Sequence, residues 1–181
     1  MRLRVPIALV VGLLSLVGAA SAARADEIVI DFEQAEIGKP VPSWTEQGVV
    51  FNLAGPLTQS KAAGRVMFFP HLATNHKGIL NAMATEQAIP VQVTFPASAS
   101  TVTLVLWGST GCPALVEALD KDGEVVDKAS VPAVPGRQAP GDAIPFLQLT
   151  VKAPAIAAIR FSGPRNGEFL AADEIRYTTA K

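Results

Sequence analysis

The sequence predicts an all-β fold, an antiparallel β-sandwich of the jelly-roll type. Three observations carry this. Short apolar and β-branched runs recur along the chain, separated by Gly, Pro, Asn, Asp or Ser, the pattern of strands and turns. No segment sustains the 3.6-residue period of an amphipathic helix. Fourteen prolines and fourteen glycines punctuate the chain and argue against long helices. Short strands at this density imply a sandwich or jelly roll.

The first residues stand apart from that pattern. Arg2 and Arg4 precede an apolar stretch from Ile7 to Val17, and Ala23-Arg24-Ala25 has the A-x-A form of a cleavage site. These are the parts of a secretory signal peptide over 1–25, followed by a β-sandwich domain over 26–181. The apolar stretch is shorter than the ~20 residues a membrane span needs. No later run is long and apolar, so no transmembrane span is expected in the mature chain. The expected location is the periplasm or the extracellular space.

Strands are expected near 27–33, 48–54, 65–70, 89–95, 101–107, 114–120, 124–130, 146–152, 155–162 and 169–178. Asp120-Lys121-Asp122-Gly123 separates two alternating runs. It reads as a tight hairpin turn with Gly123 at positive φ. The run starts like a calcium loop, but the EF-hand spacing of oxygen ligands stops there. Val131 to Pro145 is the longest clear loop, broken by four prolines, and is placed to border a binding site.

The formal charge is −1, and loss of Arg2, Arg4 and Arg24 with the leader makes it more negative by three. A mildly acidic domain without a basic cluster is a poor partner for nucleic acid. The single cysteine, Cys112, excludes an internal disulfide. It reads as a small, partly buried residue, since no activating base can be placed beside it. His71 and His76 have a spacing zinc can use but lack a third ligand.

Two acidic segments bracket the mature chain: Ile30-Asp31-Phe32-Glu33 and Asp173-Glu174-Ile175-Arg176-Tyr177. They suggest that the first and last strands lie side by side. Alternation puts Ile28, Ile30 and Phe32 on the core face. It sets Asp173 on the face of Ile175 and Tyr177, with Glu174 and Arg176 opposite. A buried carboxylate must be paired, hydrogen-bonded or metal-bound. Asp173 therefore pairs with Arg160 or Arg176, caps a turn, or binds a calcium ion shared with the first strand.

The runs Ile-Asp-Phe-Glu, Gly48-Val49-Val50-Phe51, Val91-Gln92-Val93-Thr94-Phe95-Pro96, Ala118-Leu119-Asp120 with Gly123, Ile159-Arg160-Phe161-Ser162-Gly163 and Asp173-Glu174-Ile175 together resemble galactose-binding-like jelly rolls. The chain is similar to lectin-like domains of exported bacterial proteins, including carbohydrate-binding modules. The resemblance spans nearly all of residues 26–181. It implies a structural calcium joining the first and last strands, on Glu33 and Asp173 with the Asp31 carbonyl.

The function it implies is a non-enzymatic, secreted binding module for a carbohydrate or envelope glycan. The alternatives are a structural or protein-interaction sandwich without a small ligand, and a small envelope hydrolase. Sugar faces stack on exposed aromatic rings, which nominates Trp107 and Trp44. Alternation sets Trp107 with Thr101, Thr103 and Val105 and favours partial exposure. Asn75, Arg137 and Asp142 lie in expected loops and could add polar contacts. A glycosidase would need two carboxylates about 5 to 9 Å apart across a cleft. Asp142, Glu86 and Glu117 can be nominated, but none is distinguished by its surroundings. No serine-hydrolase elbow, phosphate loop or dinucleotide fingerprint is present.

Overall fold

The computed structural model describes residues 26–35, 40–41, 43–54, 66–70, 77–80, 90–108, 110–136, 139, 142, 145–162 and 170–180. The expected leader over 1–25 lies outside these. The described residues form strands and connections: β1 Glu27–Ile30, β2 Pro40–Val41, β3 Ser43–Glu46, β4 Val49–Leu53, β5 Val66–Pro70, β6 Lys77–Leu80, β7 Val91–Gly108, β8 Ala114–Leu119, β9 Val125–Val131, β10 Leu147–Ser162 and β11 Leu170–Thr179. All pairings are antiparallel. No helix among the described residues is long and apolar enough to cross a membrane.

Two long strands organise the sandwich. The first part of β7 pairs with β4 and with the last part of β10, and β10 there pairs with β8, which pairs with β9. The second part of β7 pairs with β11 and with the first part of β10. Thus β7 and β10 belong to one layer at one end and to the other layer at the other. The crossing is marked by register shifts at Lys152/Ile156 and Ile156/Ala158. Strands that change layers through bends make the corners of such sandwiches. Pro96 and Pro154 stand exposed in the bending segments, where a residue without an N–H removes no ladder bond from the sheet interior. The sequence pattern splits each long strand in two at these prolines; the backbone carries each through as one.

The first and last strands do lie side by side. Glu27 faces Thr178 and Ile30 faces Ile175. The core is built in cross-strand rows. Ile30, Ile175, Leu104 and Leu149 make one row in the layer of β1, β11, β7 and β10. Phe51, Val93, Ile159 and Ala118 make one in the layer of β4, β7, β10 and β8. All eight are buried. Fully burying a side chain of this size contributes about 1.5–3 kcal/mol before entropy is charged against it. Phe95 against Tyr177, with centroids 4.7 Å apart, ties the layers. Phe32 meets Phe51 edge-on at 5.6 Å. The alternation placing Ile30 and Phe32 inside holds in burial, but the strand stops at Ile30 and Phe32 adopts φ 60°.

Local chemistry sets the turns. Gln47 and Gly48, both at positive φ, join β3 to β4 in a two-residue hairpin, the geometry that matches strand twist. The Gln47 side chain donates to the Val29 carbonyl at 2.9 Å and pins the hairpin to β1. Asp120 Oδ1 accepts the N–H groups of Asp122 and Glu124 at 2.9 and 3.0 Å. Its carboxylate thus organises the β8–β9 turn from within, as the hairpin reading requires. At the β10 bend, Asp127 Oδ2 accepts the Lys152 N–H at 2.7 Å.

Candidate functional site

The layer formed by β4, β7, β10, β8 and β9 turns a polar row outward. Register places Asn52 opposite Gln92, Gln92 opposite Arg160, Arg160 opposite Glu117 and Glu117 opposite Lys128. Opposite residues share a face, and the first four row members flank buried residues of their own strands: Phe51, Val91 and Val93, Ile159 and Phe161, Val116 and Ala118. The row crosses five strands, so at a strand spacing near 4.8 Å it spans roughly 19 Å. Thr94 and Val50 lie opposite each other in the next outward row. Arg160 Nη2 meets Glu117 Oε2 at 3.2 Å, with both side chains partly exposed. Arg160 Nε has no acceptor among the described residues. Lys128 is exposed at the end of the row. Amide, guanidinium, carboxylate and ammonium groups in line offer alternating donors and acceptors.

Of the residues nominated from sequence for a sugar, Trp107 and Asp142 have described side chains. Trp107 is 2% exposed, so the partial exposure expected from alternation is not found. It does lie on the outward side of β7, opposite Ala171 of β11. There Val105, Trp107 and Ala171 are all buried, so this end of the face is closed. Trp44 sits in β3 opposite Phe51, and its side chain is outside the described part. Asn75 and Arg137, with His71, His76 and Glu86, lie outside the described residues. Asp142 is exposed and accepts the Ala139 N–H at 2.7 Å in a local turn.

The loop after β9 is anchored at its base. Val134 exchanges backbone hydrogen bonds with the turn after β7: its carbonyl accepts from Gly111 and its N–H donates to Cys112. Cys112 is buried there. A Cβ on Gly136 would stand 2.2 Å from the Thr110 side chain, so only glycine fits that approach.

At the bracketing acids the strand contact holds, but the geometry differs from simple alternation. Ala172 faces Leu106 and Glu174 faces Val105, so Asp173 is the extra residue of a β-bulge. It is buried, at 9% exposure. The two arginines weighed as its partners are paired elsewhere: Arg160 with Glu117 and Arg176 with Glu174. Asp31 Oδ1 accepts the Glu33 N–H at 3.1 Å. Among the described residues no three His, Cys, Asp or Glu side chains gather as a metal-binding group. A neighbour that sequence reading missed is Glu46. Burial, and then the nearby Asp31 carboxylate, raises its carboxyl above the ordinary value.

Comparison with solved structures decides the architecture. The K1 cleaved adhesin domain of Lys-gingipain from Porphyromonas gingivalis W83 superposes with a TM-score of 0.52 at 10% identity, covering 86% of this chain and 99% of that one. A mutant of the family 29 carbohydrate-binding module CBM29-2, complexed with mannohexaose, gives 0.51 at 12% identity, covering 87% and 94%. The fold is a jelly roll shared with these adhesin and carbohydrate-binding-module structures. No protein-family model matches the sequence, and no curated protein matches it. At these identities the jelly roll is shared and the side chains are this chain's own, so any site must be argued from the row itself.

The row was hidden in the sequence for a simple reason. Gln92, Arg160 and Glu117 each look like the polar member of an alternating strand. Their common feature is register, which no single strand encodes.

Proposed function

We propose that this chain is an exported, non-catalytic carbohydrate-binding module that reads a glycan on the outward face of the β4–β7–β10–β8–β9 layer. The observation that supports this is the row Asn52, Gln92, Arg160, Glu117, Lys128 on a jelly-roll fold. Sugar hydroxyls both donate and accept, and amide, guanidinium and carboxylate groups answer them in pairs. A glycan lying across the strands would meet a new polar side chain at each strand spacing. A binding module also matches this chain over 94% of its own length, which favours binding over catalysis. The signal-peptide pattern of the sequence over 1–25 supports export.

The experiment is retention of the full chain on immobilised plant and bacterial polysaccharides, with Gln92→Ala as the control. Gln92→Ala is expected to weaken retention about tenfold, the effect of a lost interaction near 1.4 kcal/mol, with an unchanged melting temperature. Retention unaffected by Gln92→Ala would remove this face as the site. Failure to bind any polysaccharide would favour a structural or protein-interaction sandwich.

A structural calcium is a separate proposal. Glu33 and Asp173 would supply carboxylates and Asp31 its carbonyl, where β1 ends beside the β11 bulge. Three such oxygens fall short of the six to eight calcium takes, so further carbonyls or water would complete the shell. With calcium about twentyfold above its Kd, the ion would add roughly 1.8 kcal/mol. EDTA should then lower the melting temperature by a few degrees; an unchanged melting curve would sink the proposal.

A further inference from the structure

The two halves of the outward row differ in charge. Asn52 and Gln92 are neutral amides. Arg160, Glu117 and Lys128 form a charged half on three adjacent strands, β10, β8 and β9. Within it two cations stand against one carboxylate. Glu117 reaches Arg160 at Nη2, 3.2 Å away, while the Arg160 Nε is buried. A guanidinium carries five N–H donors, and with the Arg160 side chain 32% exposed its terminal Nη groups can meet a ligand from solvent. Lys128, opposite Glu117, is exposed. This half of the face is locally positive in a chain of net negative charge.

We infer that the charged half of the row selects an anionic glycan, one carrying carboxylates on its sugars such as a polyuronate, over a neutral polysaccharide. This rests on the proposed glycan-binding face and adds the chemical class of its ligand. A sugar carboxylate is planar and takes parallel N–H bonds from a guanidinium fork. Arg160 supplies the fork, and Lys128, two strands away, supplies a point charge for the next acidic sugar. Glu117 holds the guanidinium in place and accepts from a sugar hydroxyl. The overall negative charge of the chain opposes a polyanion only weakly at physiological salt, where exposed charges beyond about 8 Å are largely screened.

The test uses the full chain in EDTA, so that calcium cannot bridge polymer to protein. Binding to polygalacturonate is compared with binding to neutral galactan and mannan, and to polyglutamate as a non-sugar polyanion. The expected result is about tenfold tighter binding to polygalacturonate than to the neutral polymers. That preference should fall steeply as salt shortens the Debye length to about 3 Å. Lys128→Gln, at an exposed position, should reduce the preference without moving the melting temperature. Arg160→Lys, which keeps the charge and loses the fork, should reduce it as well. Equal or tighter binding to the neutral polymers would overturn the anionic assignment and leave the glycan-binding face standing. Equal binding to polyglutamate would overturn it too, by showing charge without sugar recognition. Loss of binding to every polysaccharide would overturn the underlying reading.

Discussion

The two outward faces of the sandwich are both polar, yet they use their polarity differently. On the β1–β11–β7–β10 face the groups satisfy one another at short range. Thr103 and Thr150 share a hydrogen bond of 2.9 Å across adjacent strands. The Ser100 hydroxyl donates to the Thr178 carbonyl at 3.3 Å. Arg176 Nε pairs with Glu174 two residues away. Trp107, Val105 and Ala171 close one end. On the other face the side chains are longer, and Arg160, Glu117 and Lys128 stand partly or fully exposed. The same alternation of apolar and polar residues produced both. Side-chain reach and mutual satisfaction distinguish a face that merely solvates the fold from one with groups left to offer.

The largest effect expected of this contrast is at Trp107. Because it is buried, Trp107→Ala should cost about 3–5 kcal/mol of stability, seen as a lower denaturant midpoint. A change below roughly 0.5 kcal/mol, the ordinary surface value, would return Trp107 to the solvent and reopen that face as a site. A smaller effect separates the faces by binding. The pair Thr103→Val with Arg176→Ala should leave polysaccharide retention unchanged, whereas Asn52→Ala should weaken it several-fold, by about 1 kcal/mol. The reverse pattern would exchange the roles of the two faces.

The smallest effect concerns Glu46 beside Asp31. Its carboxyl is raised by burial and by that neighbour, so the folded protein binds the proton more tightly than the unfolded chain. Below the ordinary Glu value of about 4.3 the group is protonated in both states and costs nothing. As pH rises from that value through the raised folded one, stability is lost, and the loss is complete above it. Glu46→Gln should therefore raise the melting temperature at neutral pH by on the order of 1–3 °C, with the gain vanishing near pH 4. A gain independent of pH would remove ionisation as its cause.

Much of the architecture was legible because its signals are local. The runs at Val49–Leu53, Val66–Pro70, Ala114–Leu119 and Val125–Val131 carry β-branched residues between turn formers, and each is a strand. The neighbouring first and last strands were also legible, from the matched acidic segments. The short strands at 40–41, 43–46 and 77–80 were not expected, since Pro40, Ser43, Lys77 and Gly78 lack the apolar pattern. Their pairing comes from neighbours. Pro96 and Pro154 read as breaks because proline ends ladders locally, while here it marks bends in continuous strands. Alternation singled out Asp173 as a buried carboxylate, as found, but not the bulge that sets Ala172 opposite Leu106 and adds Asp173 to the count. The polar row was illegible because it depends on five strands being in register at once.

The antiparallel seam between β1 and β11 sets how this domain answers a pull. Glu27 and Thr178 face each other at the open end of that seam, so a tether drawn apart at these two positions loads the backbone bonds one after another. Each such bond contributes only about 0.5–1.5 kcal/mol, and none shares its load with the next. The seam therefore parts like a zipper, at far lower force than strands pulled along their length. Under tension β1 peels away from β11 first.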